Sequence, residues 1–158
     1  MEIRSASSDG AMPRTMRPPR QVLPKASKCW VCGPDNPAGF RIPFEREGEK
    51  GARAVYEARE EHTGWPEFVH GGVLFTLLDE AVAWAVYFQG LCGVTARMEA
   101  RLHKAVTPGQ RLVIRGWMLD KQLRLALTHA EIRVDTDDGD LVAEAESTLF
   151  LEELAPSS

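Results

Sequence analysis

An acidic pair lies inside the most apolar stretch of the sequence, FVHGGVLFTLLDEAVAWAVYF, which covers residues 68–88. Asp79 and Glu80 follow a His-Gly-Gly turn, and the other polar residue between the turn and the acids is Thr76. A carboxylate in apolar surroundings is costly unless it has partners or a task. An acid held in this way is suited to act as a general base or as a nucleophile.

The start of the same segment offers donors for a developing negative charge. If a helix begins at Gly71, the amides of Gly71 and Gly72 have no intrahelical acceptors and lie at the positive end of the helix dipole. Glycine also lets a ligand approach the backbone closely. These amides therefore suit a carbonyl oxygen that gains negative charge, as in an oxyanion hole.

The spacing between the two groups requires a second chain. Gly71 and Asp79 would be about 12 Å apart along a helix that rises ~1.5 Å per residue. Both groups would have to lie within roughly 3 Å of one reacting centre. Two antiparallel copies of the helix can bring the amide of one chain to the carboxylate of the other. We therefore expect an obligate homodimer with two equivalent sites, and both a dimer and a tetramer stay open.

The composition fits an ordinary globular domain with a small-molecule ligand. The 158 residues are 44% hydrophobic and 27% charged, with a net charge of −4, so a general nucleic-acid binder is not expected. The longest apolar run is far shorter than the roughly 20 residues of a membrane span. Three cysteines are too few for a disulfide framework. We expect a cytoplasmic protein without membrane contact.

The elements that must position these residues form one domain. Residues 1–27 are rich in Ser, Pro and Arg and are expected to be a flexible arm, and residues 28–155 form the domain. Wrapping an antiparallel sheet around one long central helix is the simplest way to bury that helix. This arrangement is the hotdog fold of the α+β class. We expect strands at 40–44, 52–60, 95–102, 111–118, 123–135 and 141–151, and a helix at 71–88.

The stretch HTGWPEFVHGGVLFTLLDEAVAWA resembles the His-Gly-Gly branch of the hotdog acyl-CoA thioesterases, of the phenylacetate-pathway type. In that family an acid follows nine positions after the His, and here the residue at that distance from His70 is Asp79. The resemblance covers roughly residues 29–152. It implies hydrolysis of an acyl-CoA to a free acid and coenzyme A, without a cofactor, in a site formed across a dimer interface.

The resemblance also implies roles for single residues. Asp79 would activate water or attack directly, Gly71 and Gly72 would polarise the carbonyl, and Thr95 aligns with a Ser or Thr that positions the water. Several relatives carry an Asn or Gln where this chain has Gly64. The carbonyl would then be held by the backbone alone or with help from His62, and a catalytically weak dimer that only binds acyl-CoA is the alternative function.

Each of these residues also has a structural interpretation. Asp79 could be an acid that accepts hydrogen bonds across an interface, Glu80 a pairing or solvated residue, and Thr95 a plain strand residue. His70 is expected to shape the turn before the helix more than to act as a base.

The strand at 95–102 alternates between two faces, which places Thr95, Arg97, Glu99 and Arg101 together. Such a face is usually solvated. Its basic members Arg97 and Arg101, with Lys104, are nevertheless our candidates for binding the phosphates of coenzyme A.

The segment CWVCG carries Cys29 and Cys32 at the spacing of half a zinc site. No second pair with ligand spacing follows, so further ligands would have to come from scattered candidates such as His62, Cys92, His103 or His129. We expect a packed structural loop and no metal. The identity and length of the acyl group cannot be derived from the sequence.

Overall fold

The structure is a computed structural model and describes residues 26–152. The expected arm at 1–27 lies almost wholly outside these residues, as does the expected end of the domain at 155, so both boundaries stay predictions. The elements are β1 (Glu45–Glu47), β2 (Gly51–Glu57), a 3₁₀ turn (Glu60–His62), α1 (Gly71–Tyr87), β3 (Cys92–Leu102), β4 (Arg111–Gln122), β5 (Leu125–Val134) and β6 (Leu141–Glu152).

The strands form one antiparallel sheet in the order β1-β2-β4-β5-β6-β3. The chain leaves β2, forms α1, and enters the sheet again at the opposite edge as β3. The sheet wraps around α1, so the expected hotdog architecture is confirmed. Within residues 26–152, no helix is long and apolar enough to cross a membrane.

The expected first strand at 40–44 is wrong. Phe40 and Ile42 are buried in alternation, as in a strand, but their N–H groups donate to the carbonyls of Trp30 and Val31, each at 2.9 Å. Arg41 between them has a positive φ of 54°, which a regular strand does not allow. The stretch is therefore irregular chain packed on the CWVCG segment, and β1 starts at Glu45.

The helix α1 is buried on most sides because its sequence is apolar nearly all round. Leu77, Leu78 and Ala81 have no exposed surface. Helix and sheet approach closely at Gly116 on β4, where an added Cβ would lie 2.5 Å from the carbonyl oxygen of Ala81. Glycine at this position lets the two backbones meet.

The edge strand β3 contains a β-bulge that turns Thr95 toward the helix. Thr95 is paired with Leu149, but Arg97 is paired with the next residue of β6, Thr148. Directly paired residues point to the same side of a sheet, and Leu149 points into the core. The expectation that Thr95 shares a face with Arg97 is therefore wrong, because the extra residue at 96 reverses the alternation.

We predict that Gly116→Ala destabilises the fold. The added methyl group would collide with the backbone of α1, and such overpacking costs about 1–3 kcal/mol. Urea unfolding measures the difference from the parent. Lys121→Ala, an exposed change on the same strand, is the control and should stay within about 0.5 kcal/mol of the parent. Equal stability of Gly116→Ala and the parent would contradict the close approach.

Candidate active site

The side chain of His70 caps the central helix. His70 is the N-cap of α1, and its Nδ1 accepts a hydrogen bond from the N–H of Gly72 at 2.8 Å. A Cβ at position 72 would lie 2.9 Å from the same nitrogen, so this contact requires glycine. The Gly72 N–H is therefore engaged inside the chain and is not available to a ligand.

The neighbouring N–H, that of Gly71, is not engaged in this way. Gly71 is the first residue of α1, and its N–H has no acceptor within residues 26–152. It is one of the amides that a helix leaves unpaired at its positive end. Of the two amides selected from the sequence, that of Gly71 is therefore the one with an N–H that can donate a hydrogen bond to a ligand oxygen.

The loop before α1 explains the glycine at position 64. A Cβ on Gly64 would lie 3.1 Å from both Cα and Cδ2 of His70, so a larger side chain there would press on the cap. The loop is closed by hydrogen bonds from Gly64 N to Phe68 O at 2.6 Å and from His70 N to His62 O at 2.9 Å. Gly64 thus supports the helix start and supplies no amide side chain.

The ring of His62 is half-buried and is held by two aromatic side chains. Its Nδ1 lies 2.5 Å from the hydroxyl of buried Tyr56, and the ring stacks on Phe40 with 4.1 Å between centroids. Burial lowers the pKa of His62, and the nearby guanidinium of Arg59 lowers it further. The expected alternative, in which His62 supports a substrate carbonyl, has to compete with these contacts.

Asp79 and Thr95 form a hydrogen-bonded pair on the surface of the chain. The Thr95 hydroxyl donates to Oδ1 of Asp79 at 2.6 Å, and both residues are exposed. The bulge in β3 makes this contact, since it turns Thr95 toward the helix. Phe75, one helical turn before Asp79, is also 40% exposed. The pair therefore borders an apolar surface beside the free edge of β3.

Glu80 points to a different neighbourhood. Its Oε1 accepts a hydrogen bond from Nε1 of Trp84 at 3.0 Å and lies 3.6 Å from Sγ of Cys29. Cys32 lies in the same cluster, and burial raises the pKa of its thiol, as does the Glu80 carboxylate. The sequence interpretation missed this contact, because Glu80 is 51 residues from Cys29 and no local pattern joins them.

The three basic residues selected from the sequence are not gathered at Asp79. Arg97 is exposed and 3.7 Å from Glu99. Arg101 borders a cavity on the outer face of the sheet that also has acidic residues in its wall, Glu99, Glu144 and Glu146. Lys104 Nζ lies 2.5 Å from Oδ2 of Asp140. Within one chain these side chains do not form a shared phosphate site.

Comparisons with known proteins agree on the fold. Residues 67–141 match the sequence profile of the thioesterase superfamily. No curated protein matches the chain. Among solved structures, the thioesterase superfamily protein RHA08564 is 27% identical, with 78% of this chain and 60% of that one covered and a TM-score of 0.72.

Two further structures have the same fold at lower identity. A hypothetical thioesterase from Streptococcus pneumoniae TIGR4, solved with coenzyme A, is 23% identical over 74% of this chain and 91% of that one, with a TM-score of 0.67. PaaI, from the phenylacetic acid degradation operon of E. coli, is 21% identical over 69% and 82%, with a TM-score of 0.64.

We predict that His62 makes the fold sensitive to acid. Its pKa is lowered in the folded state, so the unfolded chain binds the proton more readily, and stability is lost as the pH falls below about 6.5. Urea unfolding at about pH 7.5 and about pH 5.5 should show a larger loss for the parent than for His62→Gln, which cannot titrate. Equal losses in the two proteins would refute the prediction.

Proposed function

We propose that this chain, a hotdog-fold member of the thioesterase superfamily, hydrolyses an acyl-CoA thioester to a free carboxylic acid and coenzyme A. The site is formed between two copies of the chain. The observation that carries the proposal is the Thr95–Asp79 hydrogen bond, which holds a carboxylate at the exposed side of a largely apolar helix. In the single chain this carboxylate is exposed, so it is open to a ligand.

The pair can hold and activate a water molecule. The Thr95 hydroxyl has one hydrogen and donates it to Asp79, so its oxygen lone pairs remain free to accept. A water molecule can donate one hydrogen to Thr95 and the other to the free Oδ2 of Asp79. As the water oxygen attacks the carbonyl carbon, its proton passes to Asp79. Direct attack by Asp79, with later hydrolysis of the anhydride, uses the same groups.

The reaction then needs a donor for the carbonyl oxygen. That oxygen becomes negative in the tetrahedral intermediate, and the Gly71 N–H of the partner chain supplies the hydrogen bond, assisted by the helix dipole. Collapse of the intermediate breaks the carbon–sulfur bond and releases the coenzyme A thiolate, which takes up the proton held by Asp79. His70 acts as a positioning residue, because its bond to Gly72 fixes the backbone at Gly71.

Similar proteins support this assignment. The thioesterase from Streptococcus pneumoniae has been solved as an aspartate-to-alanine variant and as a threonine-to-alanine variant. The two substituted positions are separated by 16 residues, as are Asp79 and Thr95. The same protein has been solved with coenzyme A, and smu.793 from Streptococcus mutans UA159 has been solved with acetyl-CoA. A thioester of coenzyme A is therefore the substrate class that we propose.

The surface around Asp79 supports a homodimer. The strand β3 is at the edge of the sheet, has 11 residues and carries Val94 and Leu102 with 58% and 46% of their surfaces exposed. A long edge strand with apolar side chains is a template for pairing with another chain. Phe68, just before the helix, and Phe75, one turn before Asp79, are each 40% exposed as well.

The phosphates of coenzyme A call for a basic side chain near the β3 edge. Arg97 is the candidate that we retain, because its one described ion pair is long, at 3.7 Å, and open to solvent. Arg101 faces three carboxylates, which would repel a phosphate. Lys104 would first have to leave Asp140, whose pKa is lowered by that contact.

We predict that Asp79→Asn lowers the turnover of acyl-CoA by about 10²- to 10⁴-fold, the usual contribution of a general base. Thr95→Val should cost less, about 10- to 100-fold, since it removes one hydrogen bond to a charged group. The measurement is release of free coenzyme A from short, medium, long and aromatic acyl-CoAs. Asp138→Asn and Thr136→Val, both exposed in the turn between β5 and β6 and away from the pair, are the matched controls.

Two outcomes would contradict the assignment in different ways. Full activity of Asp79→Asn would exclude Asp79 as the base. An inactive parent that still binds acyl-CoA would favour the alternative function, a dimer that holds the ligand without turnover, and the lack of an amide side chain at Gly64 is the observation that would then explain it. The molecular mass of each variant in solution shows whether the variant still forms the dimer.

A mixed dimer tests whether the two groups come from different chains. Gly71→Pro removes the N–H at a first helical position, where proline fits, and the extended backbone of His70 is compatible with a following proline. Each pure variant, Gly71→Pro or Asp79→Asn, should be inactive. In a mixed dimer one of the two sites combines an intact Gly71 with an intact Asp79. Random pairing makes about half of all dimers mixed, so co-expression should restore about a quarter of the parent's activity.

If Gly71 and Asp79 acted from the same chain, no site in the mixed dimer would be complete. Absence of any recovery, with mixed dimers shown to be present by two affinity tags, would therefore refute the shared site while leaving the thioesterase activity itself untouched.

A further inference from the structure

Two thiols and one carboxylate converge at the side of α1 that faces the CWVCG segment. The Sγ atoms of Cys29 and Cys32 and a carboxylate oxygen of Glu80 all lie within 4.8 Å of one another. All three residues are half-buried. The cysteines come from the loop before β1 and the acid from the central helix, so the fold, and not a local motif, brings them together.

The separation of Cys29 Sγ from the Glu80 carboxylate is that of two ligands in a tetrahedral zinc site. With Zn–S at about 2.3 Å and Zn–O at about 2.1 Å, a tetrahedron places sulfur and oxygen ligands about 3.6 Å apart and two sulfurs about 3.8 Å apart. Cys29 Sγ lies 3.6 Å from Oε1 and 3.8 Å from Oε2 of Glu80. A zinc ion can therefore be bound with small side-chain adjustments.

The carboxylate of Glu80 is already held in one orientation, as a metal ligand has to be. Trp84 Nε1 donates to Oε1 of Glu80 at 3.0 Å, which fixes the carboxylate as an outer hydrogen bond does around a metal ligand. Within residues 26–152, no Lys, Arg or His forms an ion pair with Glu80. Its contacts in the cluster are thiols, which are weak donors, so a half-buried negative charge lacks a cation.

The backbone of the loop is built tightly enough to present both thiols on one side. Gly33 N donates to Cys29 O at 3.0 Å, and Cys29 N donates to Ala26 O at 3.0 Å. A Cβ on Gly33 would lie 2.4 Å from Cys29 N, so only glycine allows this turn. The loop is thus a compact turn of the kind that two thiolates separated by two residues need.

We propose that Cys29, Cys32 and Glu80 bind one Zn²⁺ ion, with the fourth position open to an adjoining cavity. Thiolates favour zinc over magnesium or calcium, and a mixed sulfur and oxygen set suits tetrahedral zinc. Binding displaces one proton from each thiol, so that Zn²⁺ and the two thiols give a zinc dithiolate and two protons. The ion ties the loop before β1 to the central helix, across 51 residues of sequence.

The cavity beside the cluster explains the open position. It has a volume of about 170 Å³, and its wall is mainly apolar, including Ala83, Trp84, Tyr87 and Leu91. Water or a ligand group in this cavity can complete the tetrahedron. Cys92 also borders the cavity but is not part of the three-residue cluster, which makes it the matched control for the two ligand cysteines.

The test is the metal content of the full chain. The protein is produced with added zinc and purified in a reducing buffer without chelators or a metal-binding tag, and elemental analysis should find about one zinc per chain. Substitution with Co²⁺ should give the thiolate charge-transfer absorption of a tetrahedral site. Bound zinc should also protect Cys29 and Cys32, but not Cys92, from alkylation as mapped by mass spectrometry. These three readouts need no variant to fold.

Variants then identify the ligands. Cys29→Ser, Cys32→Ser and Glu80→Gln should each weaken zinc binding by at least about 100-fold, whereas Cys92→Ser and Asp79→Asn should bind as the parent does. A parent that stays free of zinc with all thiols reduced would overturn the proposal. Loss of zinc from Cys92→Ser, or unchanged binding by Glu80→Gln, would overturn the ligand assignment.

Discussion

The burial of the helix α1 is the constraint on which the rest of the structure depends. Its residues are apolar on nearly every side, so one curved sheet must cover it. At position 116 of β4 the sheet comes so close to the helix that only glycine fits. A helix this enclosed can carry a charged side chain only where the sheet leaves its surface uncovered. Those places are the edge beside β3 and the side facing the CWVCG segment.

Asp79 and Glu80 use these two places separately. Adjacent residues on a helix point about 100° apart, so the two acids cannot serve one centre. Asp79 faces β3, where a bulge supplies the hydroxyl of Thr95. Glu80 faces the loop that carries Cys29 and is held by Trp84 from its own helix. One acidic dipeptide thereby contributes to the exposed Asp79–Thr95 pair and, on the other side, to a half-buried cluster of two thiols and a carboxylate.

The sequence predicted what depends on local pattern. The helix and the last five strands follow from apolar periodicity and turn residues, and their observed bounds differ from the expected ones by a few residues. The strand expected at 40–44 failed because alternating burial does not reveal where the N–H groups are bonded. The bulge beside Thr95 and the approach of Glu80 to Cys29 could not be predicted, since both depend on how distant segments meet.

The cap at the helix start limits how a substrate carbonyl can be held. His70 takes the N–H of Gly72, and Gly64 leaves no room for an amide side chain against the same imidazole. In the proposed reaction, one backbone donor, at Gly71, therefore remains for the oxyanion, together with the dipole of α1. The cap would favour this role of Gly71 by fixing its amide, because a preorganised donor needs no reorganisation when charge develops. The proposed mechanism therefore depends on one well-positioned amide where a larger set of hydrogen bonds would otherwise be needed.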